Sequence, residues 1–112
     1  MSPTYTYLDN ILDQLSDIPT DSILSRTIYS DPQVKTILFA FAAGQELSEH
    51  TSSQRASLYF VQGEADLTLG DDTLTAQAGT WVQMPPHLPH SIVAKSPLLM
   101  LLTMIQPLPP DE

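Results

Sequence analysis

From Val34 to Ile105 the chain is a succession of short runs rich in β-branched and aromatic residues, cut at regular intervals by glycine, proline and aspartate. Such runs bounded by turn residues read as strands, and many of them at even spacing read as a sandwich or barrel. Residues 34–42 (VKTILFAFA), 57–62 (SLYFVQ), 65–69 (ADLTL), 74–78, 80–84 (TWVQM), 90–94 (HSIVA) and 98–105 (LLMLLTMI) are the candidates, with strand character beginning near Ser25. That is about eight strands. Gly63-Glu64 reads as the tight turn of a hairpin joining 57–62 to 65–69. Gly70-Asp71-Asp72 and Ala78-Gly79 read as further turns. The segment Pro85-Pro86-His87-Leu88-Pro89 is not a central strand, because proline removes the ladder donor.

Ahead of the strands the period changes. Leu8, Ile11, Leu12, Leu15 and Ile18 recur at helical spacing, with Asp9, Asp13 and Asp17 between them. The spacing predicts one short amphipathic helix, stopped at Pro19 because proline disfavours the α conformation in the residue before it. The expected organisation is therefore an N-terminal helical extension over 1–24, one all-β barrel over 25–105, and a Pro-rich acidic tail over 106–112. At 112 residues the chain suits a single core.

Charge narrows the choice of partners. Thirteen acids face only Arg26, Lys35, Arg55 and Lys95, for a net charge of -9. No basic stripe can be drawn from four scattered cations, so neither nucleic acid nor an anionic membrane is an expected partner. There is no cysteine, which excludes disulfides, thiolate metal sites and thiol nucleophiles. The N-terminus, MSPTYTYLDN, has neither a basic nor an apolar signal region. A cytoplasmic location is the expectation. The apolar run Leu98–Ile105 is far too short to span a bilayer and suggests a buried surface; a homodimer is expected from it.

Two segments resemble the paired motifs of the cupin family. The first motif runs Gly-x5-His-x-His-x3–4-Glu-x6-Gly; here Gly44, His50, Ser52, Ala56 and Gly63 stand at those positions. The second runs Gly-x5-Pro-x-Gly-x2-His-x3-Asn; here Gly79, Pro85, His87, His90 and Ala94 do so. The resemblance covers most of the chain, from Val34 to Ile105. It implies an all-β, double-stranded β-helix: the cupin jelly-roll barrel, of the RmlC-like type. It also implies a pocket holding a divalent transition metal (Zn, Fe, Ni, Cu or Mn), of whose usual ligands this chain keeps His50 and His90. Ser52 replaces the second histidine and Ala56 the glutamate.

Side chains two apart on a strand share a face. Ala56, Leu58 and Phe60 would line one side, and His90, Ile92 and Ala94 another. The candidate small-molecule site is therefore Ser52, Gln54, Leu58, Phe60, Met84, His87 and Ile92, with His50 and His90 as candidate metal ligands. A second reading makes the two histidines hydrogen-bonded pocket residues without metal. Equally, His87 is either a rim contact or an ordinary exposed turn residue. Met84 and the aromatic residues either line the pocket or fill the core. Glu46 and Glu49 read as loop acids ahead of His50. Three functions stay open: a small-molecule binding module, a metal-dependent enzyme of dioxygenase or isomerase type, and an interaction protein.

Overall fold

The structure, a computed structural model, describes residues 4–15, 18 and 20–106. Nine strands run in chain order: β1 (Ile23–Ser30), β2 (Val34–Phe41), β3 (Glu46–His50), β4 (Arg55–Gln62), β5 (Glu64–Leu69), β6 (Asp72–Gln77), β7 (Trp81–Met84), β8 (His90–Ala94) and β9 (Leu98–Ile105). They form a five-stranded sheet ordered β1-β2-β9-β4-β7 and a four-stranded sheet ordered β3-β8-β5-β6. All the pairings between these strands are antiparallel. This is the double-stranded β-helix expected from the sequence.

The interior follows from alternation. Along β4, Ala56, Leu58 and Phe60 are buried while Arg55 and Tyr59 are exposed. Phe60 and Leu58 pack with Phe41, Met84, Leu98 and Met100 from their own sheet and with Ala65, Leu67, Ala76, Ile92 and Ala94 from the other. The run Leu98–Ile105 is not an edge. β9 lies between β2 and β4, paired along its length with both.

Two sequence expectations need correction. The N-terminal helix reduces to a 3-10 turn, Ile11–Leu15, with no buried residue. Leu8 lies outside it in an irregular segment, and Ser16, Asp17 and Pro19 lie outside the described residues. A short amphipathic helix is marginal unless its apolar stripe is packed, and here Leu8 and Leu12 remain exposed. The proposed tail falls outside the described residues except for Gln106.

Second, Gly63 does not turn a hairpin. β4 belongs to the five-stranded sheet and β5 to the four-stranded one, so Gly63 is the corner where the chain changes sheets. Its φ is +94°, and a Cβ there would overlap Pro97 O and lie 2.9 Å from Leu98 Cα. The β5–β6 connection at Gly70-Asp71 is the true hairpin, with Leu69 opposite Asp72.

Gly63 and Gly79 have nearly the same φ, but nothing lies within 4 Å of a Cβ built on Gly79. Gly79→Ala should therefore lose only the backbone strain, about 1–3 kcal/mol. Gly63→Ala should lose about 1–3 kcal/mol more, because the new methyl meets backbone that cannot move aside. Urea unfolding of both variants tests this; equal losses would contradict the close approach at the corner.

Candidate functional site

His50 ends β3, one of the two edge strands of the four-stranded sheet. Along β3–β8, Glu46 faces Val93, Leu47 faces Ile92, and His50 faces His90. Between the last two pairs β3 advances three residues and β8 two. The extra residue is a β-bulge, which reverses the alternation beyond it. Leu47 packs against the core, so without the bulge His50 would point away from it. With the bulge, His50 meets His90, which shares a face with the buried Ile92 and Ala94. Glu46 and Glu49 are thus strand residues, not loop acids.

The two imidazole rings are in contact, with centroids 4.2 Å apart and planes tilted by 59°. Each is held the same way. His50 Nδ1 lies 2.8 Å from Ser48 O, and His90 Nδ1 lies 2.9 Å from Leu88 O. A carbonyl oxygen only accepts, so Nδ1 must carry the proton in both rings. In the neutral rings the free lone pair is then on Nε2, the atom a metal or a ligand donor would meet. These two carbonyls were not found from the sequence. A backbone acceptor leaves no side-chain signal; only its position two residues before each histidine is regular.

His90 is 8% exposed, whereas His50 is open to solvent. Burial pushes the His90 pKa below its ordinary value, the bond to Leu88 opposes this, and the neighbouring His50 adds to the lowering. His90 is accordingly neutral at pH 7.

The remaining candidates separate into two groups. Leu58, Phe60, Met84 and Ile92 are almost wholly buried within the common core. They belong to one cluster of buried apolar side chains. Ser52 and His87 belong to two loops joined at the mouth, where His87 N–H donates to Ser52 O at 2.7 Å. Ser52 Oγ accepts from Gln54 N–H at 3.1 Å, and both side chains are half-buried. His87 is exposed and has φ +68°. It keeps the left-handed backbone for which its motif position ordinarily supplies glycine.

A metal has only part of its shell here. His50 and His90 offer two nitrogen donors. Among the described residues no group of three His, Asp or Glu side chains could hold an ion. Ala56 occupies the carboxylate position, opposite Met84 on β7 and Met104 on β9. The residues fit an open, two-nitrogen site and not a closed four-ligand one.

The cupin domain family model matches residues 37–105. The chain belongs to the cupin family. No functionally curated protein matches it. Among solved structures it is similar to a conserved protein of unknown function from Streptococcus pyogenes, at 28% identity and TM-score 0.81, with 97% of this chain and 98% of that one covered. It is also similar to a cupin superfamily protein from Desulfitobacterium hafniense, at 26% identity and TM-score 0.80, covering 86% and 88%. An RmlC-like cupin from Shewanella frigidimarina shares the fold, at 20% identity and TM-score 0.73, covering 80% and 79%.

Within this cupin the altered motif positions have measurable consequences. His87→Gly should be neutral to stabilising by up to about 1.6 kcal/mol. It removes a left-handed penalty of about 1–2 kcal/mol and gives back about 0.4–1 kcal/mol through a freer unfolded chain. In a thermal melt this is a rise of at most about 6 °C. A clear fall would mean that the His87 side chain makes a stabilising contact.

The lowered His90 pKa also sets a pH dependence. Above the ordinary value of 6.5 both native and unfolded forms are neutral, and the group contributes nothing. As pH falls from there toward the lower native pKa, the unfolded chain binds the proton first, and stability declines. An NMR titration should place the His90 midpoint below 6.5. His90→Gln should flatten the stability slope in that window; an unchanged slope would assign it to other groups.

Proposed function

We propose that this cupin binds a small molecule at the mouth of its barrel, with His50 and His90 as the anchoring pair and a weakly held divalent transition metal as an auxiliary. The observation that carries the reading is the matched hydrogen bonding of the two rings. Each Nδ1–H is engaged by a backbone carbonyl, so both Nε2 atoms are left as acceptors. Burial keeps His90 uncharged, which preserves its lone pair at neutral pH. His90 shares the inward face of β8 with Ile92, which packs in the core with Leu58, Phe60 and Met84. A few polar groups above an apolar floor is the usual composition of a small-molecule site. Ser52, Gln54 and His87 stand at the rim as further polar contacts. A bound Zn, Fe, Ni, Cu or Mn ion would supply a Lewis-acidic position for a ligand oxygen, held by His50 and His90.

Two neutral donors without a carboxylate hold a metal less firmly than a full cupin ligand set, and imidazole nitrogen favours Cu, Ni and Zn over Mn. The metal-dependent enzyme, a dioxygenase or isomerase, is the alternative. It has less support, because Ala56 supplies neither an anionic ligand nor a base where the family motif has glutamate. A cytoplasmic setting goes with this reading, on the absence of cysteine; among the described residues no helix is long and apolar enough to cross a membrane.

Untagged protein titrated with Cu2+ and Zn2+ in a calorimeter tests the proposal. One exchangeable ion per chain is expected, removed by a chelator without unfolding. His50→Ala and His90→Ala should each abolish that binding. His50→Ala should leave the melting temperature within about 4 °C, since its exposed ring contributes under about 1 kcal/mol. Binding that survives both substitutions would place the ion elsewhere and overturn the assignment.

A further inference from the structure

Four short corners join the two sheets strand by strand. Residues 42–45 link β2 to β3, 95–97 link β8 to β9, Gly63 links β4 to β5, and 78–80 link β6 to β7. Each corner is too short to travel across a sheet, so it stacks the two strands it joins. The order β2-β9-β4-β7 therefore lies over the order β3-β8-β5-β6, strand upon strand. Contacts between β4 and β6, diagonal neighbours in this stacking, agree with it.

The corners also fix which strand ends coincide. Ala94 of β8 and Leu98 of β9 flank the corner 95–97, so His90 and Met104 stand together at the other end. His50 is opposite His90, and Lys35 is opposite Met104. Directly opposed residues lie on one side of a sheet. Met104 packs against the core, as do Phe39 and Phe41, which share strand parity with Lys35. Lys35 is thus on the inward side of β2, at the mouth, and exposed there. The inward row of the five-stranded sheet at the mouth is Lys35, Met104, Ala56 and Met84. Beneath it, in the same order, run His50, His90, Leu69 and Asp72. Lys35 faces His50 across the gap between sheets, which is about 10 Å at normal packing.

The other cations are placed differently. Arg26 donates to Gln14 O, and Lys95 pairs with Asp66. Arg55 alternates with the buried Ala56 and so points outward. Among the described residues Lys35 has no ion pair. Asp31, the acid of the adjoining β1–β2 turn, is already engaged: it accepts from the Tyr29 hydroxyl and from the N–H groups of Gln33 and Val34. Asp72, the acid of the two mouth rows, is at the far corner, on the opposite edge strand from His50. The position in the Lys35 row where the family motif has glutamate is Ala56. This end of the mouth therefore offers one ammonium and two imidazole acceptors, and its rows place no carboxylate beside them.

We propose that the mouth takes a small hydroxy acid, with its carboxylate on the Lys35 ammonium and its hydroxyl donating to Nε2 of His50 or His90. This rests on the reading of the mouth as a small-molecule site, and adds the charge of the ligand and the residue that selects it. An ammonium has three donors and no acceptor, and the neutral Nε2 atoms only accept. The complementary ligand must accept at one end and donate at the other, as a carboxylate beside a hydroxyl does. In a chain of net charge -9, Lys35 also offsets the repulsion that an incoming anion meets.

NMR titration of metal-free protein with lactate, propionate and lactamide, at constant ionic strength, tests this through the imidazole signals of His50 and His90. Lactate should shift them saturably. Lactamide lacks the charge and propionate the hydroxyl, and each should bind more weakly. Lys35→Met should weaken lactate about three- to fivefold, the range of an exposed ion pair, and Lys35→Arg should restore most of the loss. Circular dichroism and thermal melts confirm that both variants fold. Three results would each overturn the proposal: lactate moving neither histidine, lactamide binding as well as lactate, or indifference to Lys35→Met. Propionate equal to lactate would overturn the hydroxyl contact. All of these leave the histidine site standing if Cu2+ and Zn2+ still need His50 and His90. Ion binding that survives both histidine substitutions overturns the site itself.

Discussion

The architecture depends on two sheets sharing one set of inward side chains. Neither sheet can bury its apolar face alone, so the chain must leave one sheet and enter the other without exposing backbone. The sharpest such crossing is at Gly63. There the main chain comes against Pro97 O and Leu98 Cα so closely that no Cβ fits. The strands on either side, β4 and β5, then contribute Leu58, Phe60, Ala65 and Leu67 to the same core. Main-chain bonds tie the corner down: Lys95 N–H donates to Glu64 O at 2.8 Å, and Glu64 N–H to Ser96 Oγ at 2.9 Å.

The site is a second consequence of local backbone geometry. A single extra residue in β3 turns His50 toward His90, and two carbonyls set both rings in the same tautomer. The arrangement resembles the start of a metal centre that has lost one histidine and its carboxylate, with Ser52 and Ala56 in their places. Ala56 faces Met84 and Met104 where a carboxylate would face the ion. What remains is a polar pair above an apolar interior, better suited to holding a ligand than to gripping a metal tightly.

Much of this was legible in the residues. The strand periods from Val34 onward, the glycines at 44, 63 and 79, and the spacing of His50 and His90 identified the family and its barrel. The inward parity of Ala56, Leu58 and Phe60 was readable because strand alternation has a period of two. The N-terminal helix was misread because helical spacing reports which residues could share a face, not whether anything packs on it. Gly63-Glu64 was misread as a hairpin because a short glycine turn looks the same whether the strands beside it pair or part.

Residue identity and spacing alone carry the class of fold, the motif positions and the loss of half the usual ligand set. It takes the packed strands to make β9 central, to bring His50 to His90 through a bulge, and to gather every strand-borne lysine and arginine on one sheet. These are facts of register and pairing between segments far apart in the chain. Local sequence does not encode them, because a one-residue slip in register reverses every side chain on a strand without changing any residue in it.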